Sequence, residues 1–201
     1  MKRLLFALTL LVCGAAYAAT GTANPTYNMN TRTTTGHIDD HEYFLFNLPS
    51  LGGGTITAAT VTINVNTSSG TAVSTSAYVS ETVGWNESST YSTLSAITAL
   101  GAATQTVSVS STGSKVFDVL GTTNGIKQCY ADSKTQATVW LQGPVQSGSG
   151  ASAANFTIGD DSADYFKADM RTGGTPPVLT ITYTPAAGGR RLQRISVNGH
   201  Y

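Results

Sequence analysis

The stretch with the most chemistry to offer is Trp85-Asn86-Glu87, followed by Tyr91. An indole face stacks on the C–H face of a pyranose ring, and the amide and carboxylate take hydroxyls. That makes these four residues a candidate carbohydrate platform. The competing reading is architectural: Trp85 plugs a β-sandwich, and Glu87 ties the following loop to backbone N–H groups. A second cluster is Gly159-Asp-Asp-Ser-Ala-Asp164, which places Asp160, Asp161 and Asp164 in one loop. Calcium takes six to eight hard oxygen ligands, so three carboxylates with backbone carbonyls are a candidate calcium site. The spacing lacks the D-x-D-x-D-G pattern of an EF-hand, and a solvated acidic loop is the alternative. A third cluster joins Asp39, Asp40 and Glu42 to His37 and His41. Two histidines four apart share a metal on a helix. On a strand they would lie about 13 Å apart, too far for one ion.

Catalysis finds little support in these residues. A glycosidase needs two carboxylates facing across a cleft, and nothing selects a pair among eleven acids. No G-x-S-x-G occurs, and no partner for the histidines is evident. A non-catalytic protein is expected. Tyr78, Tyr91, Tyr130 and Tyr165 are candidates to line a glycan groove.

The ends of the chain carry separate signals. Lys2 and Arg3 precede an apolar run from Leu4 to Cys13, and Ala16-Tyr17-Ala18 fits signal peptidase. Residues 1–18 read as a signal peptide, with the mature chain starting near Ala19 and secreted or held at the cell surface. The apolar run is too short to span a bilayer, which takes about 20 residues. Val12 before Cys13 is not the small residue that lipidation wants. Removing the leader leaves Cys129 as the only cysteine, so no internal disulfide is possible. Cys129 reads as a small buried hydrophobe.

Charge is balanced at eleven basic and eleven acidic residues. Without the leader and the basic tail, six basic residues face eleven acidic ones. An acidic body argues against nucleic acid as a partner, because phosphate binding wants a basic face. Residues 186–201 read as an Ala-Gly linker and a tail carrying Arg190, Arg191 and Arg194.

The elements between these ends are short strands. Only 11% of residues are charged, and threonine, serine, glycine and alanine fill the gaps between apolar runs. Strands are expected over His41–Leu48, Thr57–Asn66, Ala72–Val79, Thr104–Val109, Gly113–Val119, Thr135–Gln142, Asn155–Ile158 and Val178–Thr184. From Ile56 the alternation pairs Ile56 with Ala58, then resumes as Val61, Ile63 and Val65. Thr93–Leu100 and Val119–Tyr130 hold one or two short helices, with Gly121 and Gly125 against a long one. The fold class is all-β: an antiparallel β-sandwich of the jelly-roll type over residues 37–185. Residues 19–36 form an arm or a first strand. The expected core is Phe44, Phe46, Leu48, Val61, Ile63, Val65, Trp85, Phe117, Val119, Val139, Leu141, Phe156, Leu179 and Ile181.

The order of landmarks resembles a known family. It runs from Tyr43-Phe-Leu-Phe-Asn47 before a proline corner to an Ile-Thr-x-Ala-x-Val-x-Ile strand. Val83-Gly-Trp-Asn-Glu-Ser-Ser-Thr-Tyr91 and Lys115-Val-Phe-Asp-Val119 follow, then Phe156-Thr-Ile-Gly-Asp-Asp161 and Pro176-Pro-Val-Leu-Thr-Ile-Thr-Tyr183. This is similar to the DNRLRE domain family, whose members include modules classed as carbohydrate-binding module family 96. The likeness covers roughly Glu42 to Thr184. It departs at Asn47, where an acidic residue is usual, and at Leu120, where threonine is expected. It implies a sandwich with a mostly buried helix and a polysaccharide or glycan partner. The alternative expectation is a self-associating structural or adhesive protein, a homo-oligomer or filament in which a terminal segment adds a strand to a neighbour.

Overall fold

The structure, a computed structural model, describes residues 17–31, 41–89, 91–143, 155–159 and 165–186. Eleven strands and two short helices follow one another in these residues. They are β1 (Ala19–Ala23), β2 (Pro25–Thr31), β3 (His41–Asn47), β4 (Thr55–Ser68), β5 (Val73–Ser80), α1 (Tyr91–Ser95) and β6 (Gln105–Val109). Then come β7 (Gly113–Asp118), α2 (Ile126–Ala131), β8 (Gln136–Gln142), β9 (Asn155–Gly159), β10 (Tyr165–Asp169) and β11 (Val178–Thr184). All pairings are antiparallel.

One sheet runs β1-β11-β4 with β7 on the far edge of β4, and the other runs β3-β8-β5-β6. Among these eight strands every step along the chain except β5 to β6 crosses between sheets, which is the jelly-roll arrangement. Two additions extend it. β2 flanks β3, and the β9–β10 hairpin pairs with the end of β4. Val65 pairs with Gly113 of β7 and with Ala168 of β10, so those two strands lie on opposite edges of β4. Of the arm expected over residues 19–36, the described part, residues 19–31, forms two strands, one in each sheet, and residues 32–36 lie outside the described residues. β10 was not expected from its sequence.

β4 shows how the chain sets its register. Ile56, Ala59, Val61, Ile63 and Val65 are buried, whereas Ala58 is exposed. The expected pairing of Ile56 with Ala58 fails because of a bulge: Thr182 faces Ala58, and Tyr183 faces Ile56. Thr57 is the extra residue, and its hydroxyl donates to the Thr182 carbonyl. One inserted residue flips every following side chain to the other face.

The main core lies between the sheets and includes Phe44, Phe46, Val61, Ile63, Val65, Phe117, Val119, Val139, Leu141, Leu179 and Ile181. Leu48 packs at its margin, and the side chain of Phe156 lies outside the described residues. α2 closes one end through Ile126 and Cys129, both fully buried. Burial pushes the Cys129 thiol up to about 12, with the negative charge of Glu81 adding to it. We expect this thiol to be inert to a disulfide-exchange reagent at pH 8 until the chain unfolds. Rapid stoichiometric labelling of the folded protein would refute its burial. The folded state holds this proton more tightly than the unfolded one, so the associated stability is full below pH 9 and lost as pH rises toward 12.

Trp85 is a correction to the expected core. It does not plug the space between the sheets. It lies on the outer face of the β3-β8-β5 sheet, in a second cluster with Tyr43, Leu45, Leu94, Ile97 and Trp140. The segment 81–100, carrying α1, folds over that face. Both faces of β3 and β8 are thus covered.

Candidate functional site

Trp85 is 3% exposed. Its ring meets Tyr43 edge-on at 6.3 Å, and its indole N–H donates to the Thr138 hydroxyl at 2.8 Å. Thr138 in turn donates to the Thr82 carbonyl. No face of this indole is open for a sugar to stack on, so the platform expected around it is not formed. Asn86 builds a turn: its side-chain oxygen accepts from the Ser88 N–H, and its own N–H donates to Ser89. Glu87 takes the Nε and Nη2 of Arg171 at 2.8 and 2.6 Å, rather than the backbone N–H groups the architectural reading expected. Tyr91 opens α1, and its side chain lies outside the described residues.

The other sequence candidates are dispersed. Asp160, Asp161 and Asp164, the candidate calcium ligands, lie outside the described residues, as do His37, Asp39 and Asp40. His41 hydrogen-bonds through Nδ1 with the Tyr43 hydroxyl at 2.9 Å, and Glu42 is buried. Tyr78 stacks on Trp140 at 5.3 Å. Tyr165 lies beneath the Lys167 ammonium. Among the candidate tyrosines, Tyr130 lines a groove.

That groove sits where the β3–β4 corner meets the turn after α2. Its volume is about 500 Å³. Leu48 to Gly54 form one wall, and Tyr130 with Ser133, Lys134 and Thr135 forms the other. Each wall follows from local sequence. The corner turns at Leu51–Gly54, closed by a Gly54 N–H bond to the Leu51 carbonyl. Gly52 and Gly53 hold φ of +56° and +79°, the left-handed region where glycine has no Cβ penalty. On the opposite wall Ser133 takes the left-handed position after the helix, at φ 57°. The N–H groups of Ser133 and Lys134 reach back to the carbonyls of Tyr130 and Cys129, a Schellman cap.

Two bonds fix the walls to each other. The Leu48 N–H donates to the Thr135 carbonyl at 2.8 Å, and the Tyr130 hydroxyl donates to the Pro49 carbonyl at 2.6 Å. Burial pushes Tyr130 up to about 12, with Cys129 and Tyr183 contributing, so the phenol stays protonated. Its contribution to stability is full below pH 10 and lost between pH 10 and about 12. Lys134 is paired with Glu81 at 3.2 Å and remains accessible beside the groove. Asp132, next to Ser133, is held below the usual carboxylate range by the Gln128 amide and by Glu81.

The lining offers a phenol ring, a proline ring, three aliphatic hydroxyls and one ammonium. Among the described residues that line it there is no carboxylate or imidazole. Such a set offers hydrogen-bond donors and acceptors beside ring surface. Comparison with protein-family models and with curated proteins finds no match for the chain. Among the described residues no helix is long and apolar enough to cross a membrane.

Proposed function

We propose that this chain is a non-catalytic, secreted or surface-displayed module that binds a polysaccharide in the groove between the β3–β4 corner and the α2–β8 turn. The observation that carries the reading is the lining of that groove. Tyr130 and Pro49 supply ring surface, and Ser50, Ser133, Thr135 and Lys134 supply polar groups around it. A volume of about 500 Å³ falls within the range of small-ligand sites. Support for export comes from the leader reading, in which cleavage follows Ala18. Tyr17 is 73% exposed, and β1 begins at Ala19, so cleavage there would leave every described strand whole. The DNRLRE likeness points to the same class of ligand, with the contact moved from Trp85 to Tyr130.

Affinity electrophoresis against neutral and uronate-containing polysaccharides tests this reading. Retardation is expected with at least one polymer and no hydrolysis. Tyr130→Leu should weaken it about 2–10-fold, the equivalent of an aromatic contact. Lys134→Ala should matter most for an acidic polymer, and the partly exposed Glu81 pair that it also breaks contributes about 1 kcal/mol to folding. No retardation by any polymer, with or without calcium, would sink the proposal.

A further inference from the structure

We infer that β1 is an exchangeable strand, and that the edge of β11 beside Pro49 accepts the β1 of a second copy of this chain. Three observations carry the inference, and none depends on a glycan in the groove.

First, β1 is held by backbone more than by side chains. Five residues, Ala19 to Ala23, pair with Tyr183 to Leu179. The half-buried positions are Ala19, Gly21 and Ala23, so two methyl groups are all the apolar side chain this strand sets against the body. Outward stand Thr20 and Thr22. Leaving the sheet therefore costs little apolar burial, and the lost ladder is regained in full on another copy.

Second, the joint is short and stiff. A single residue, Asn24, links β1 in one sheet to β2 in the other. Pro25 follows it and pairs with Phe46. A residue before proline is pushed to extended backbone, which opposes a tight turn at Asn24. Short strained hinges favour exchange, because the open form relieves them while keeping every contact.

Third, the acceptor selects its strand. A Cβ on Gly21 would stand 2.9 Å from the Pro49 Cβ. The notch over Pro49 thus takes a strand whose middle residue lacks a side chain. The pattern Ala-Thr-Gly-Thr-Ala meets that demand, and a second copy carries it by identity. Pro49 also lines the groove. Exchange would therefore join bodies with their grooves in fixed relation, and multivalent contact with a polymer would follow.

Register supplies the test. Thr20 faces Thr182 across the β1–β11 ladder, on the outer side of the sheet. Chains that begin at Ala19, and so lack Cys13, carrying only Thr20→Cys or only Thr182→Cys are expressed separately, then mixed in a thiol–disulfide buffer. Cys129 stays silent in the core. A covalent heterodimer on a non-reducing gel is expected from the mixture and not from either chain alone. Two glycines inserted after Asn24 should lower its yield to background while far-UV circular dichroism is unchanged. The inference is overturned if the mixture stays monomeric while the Thr20→Cys/Thr182→Cys double variant forms an intrachain disulfide. A heterodimer yield insensitive to the longer hinge would overturn the role given to Asn24-Pro25.

Discussion

Trp85→Ala is expected to cost about 3–5 kcal/mol of folding stability, the range for a large aromatic cut to a methyl in a core. The indole is almost wholly buried against Tyr43, Leu94 and Trp140. Truncation would empty the space between the outer sheet face and the segment that covers it. It would also leave the Thr138 hydroxyl without the N–H it accepts. Trp85→Phe should recover most of the packing and lose mainly that hydrogen bond, a difference of about 1 kcal/mol. Urea unfolding reads both: the midpoint falls while the slope stays constant. Polysaccharide retention of the folded fraction should not change. A loss below about 1 kcal/mol, or a selective loss of binding, would return Trp85 to the surface role its sequence first suggested.

Gly125→Ala is expected to cost about 3 kcal/mol, at the upper end for overpacking. Its backbone, at φ −139° and ψ −166°, suits any residue, so the penalty is contact rather than dihedral strain. An added Cβ would stand 2.5 Å from both the Val119 and the Leu120 carbonyl oxygens. Neither can retreat, since Val119 accepts from Ile126 and Leu120 from Lys127, at 2.8 and 2.9 Å. The clash falls at the first turn of α2, whose Ile126 and Cys129 close one end of the core. Thermal unfolding should shift by about 2–4 °C per kcal/mol for a chain of this size. Gly84→Ala is the control, because nothing stands within 4 Å of its added Cβ. Equal melting of the two variants would mean that the α2 turn is not as described.

Much of the sandwich was legible because period-two alternation is a local property. Val61, Ile63 and Val65 announce one buried face of β4, and Leu179 and Ile181 that of β11. The bulge was missed although Ile56 and Val61 signal it, for they are an odd number of residues apart and no regular strand buries both. β10 was missed because Tyr165-Phe-Lys-Ala-Asp169 offers only Phe166 and Ala168 as apolar partners. The second core was missed although its signal was present. Tyr43-Phe-Leu-Phe46 and Val139-Trp-Leu141 are continuous apolar runs, which mark strands buried on both faces.

Local sequence sufficed for the all-β class, the spacing of most strands, the burial of Cys129 as a small hydrophobe, and the glycines at the Gly52–Gly54 corner. These follow from neighbours along the chain, where side-chain alternation and φ preference act. Only the tertiary structure decided what Trp85 and Tyr130 do. Trp85 lies 53 residues from Thr138, and Tyr130 lies 81 from Pro49. Whether an aromatic ring meets water or another ring depends on which distant segment folds over it, and that choice belongs to the packing of the whole sandwich. The outer face of β3 and β8 covers the indole through Tyr43 and Trp140, while the corner and the turn after α2 stand apart enough to leave the phenol at the wall of a groove.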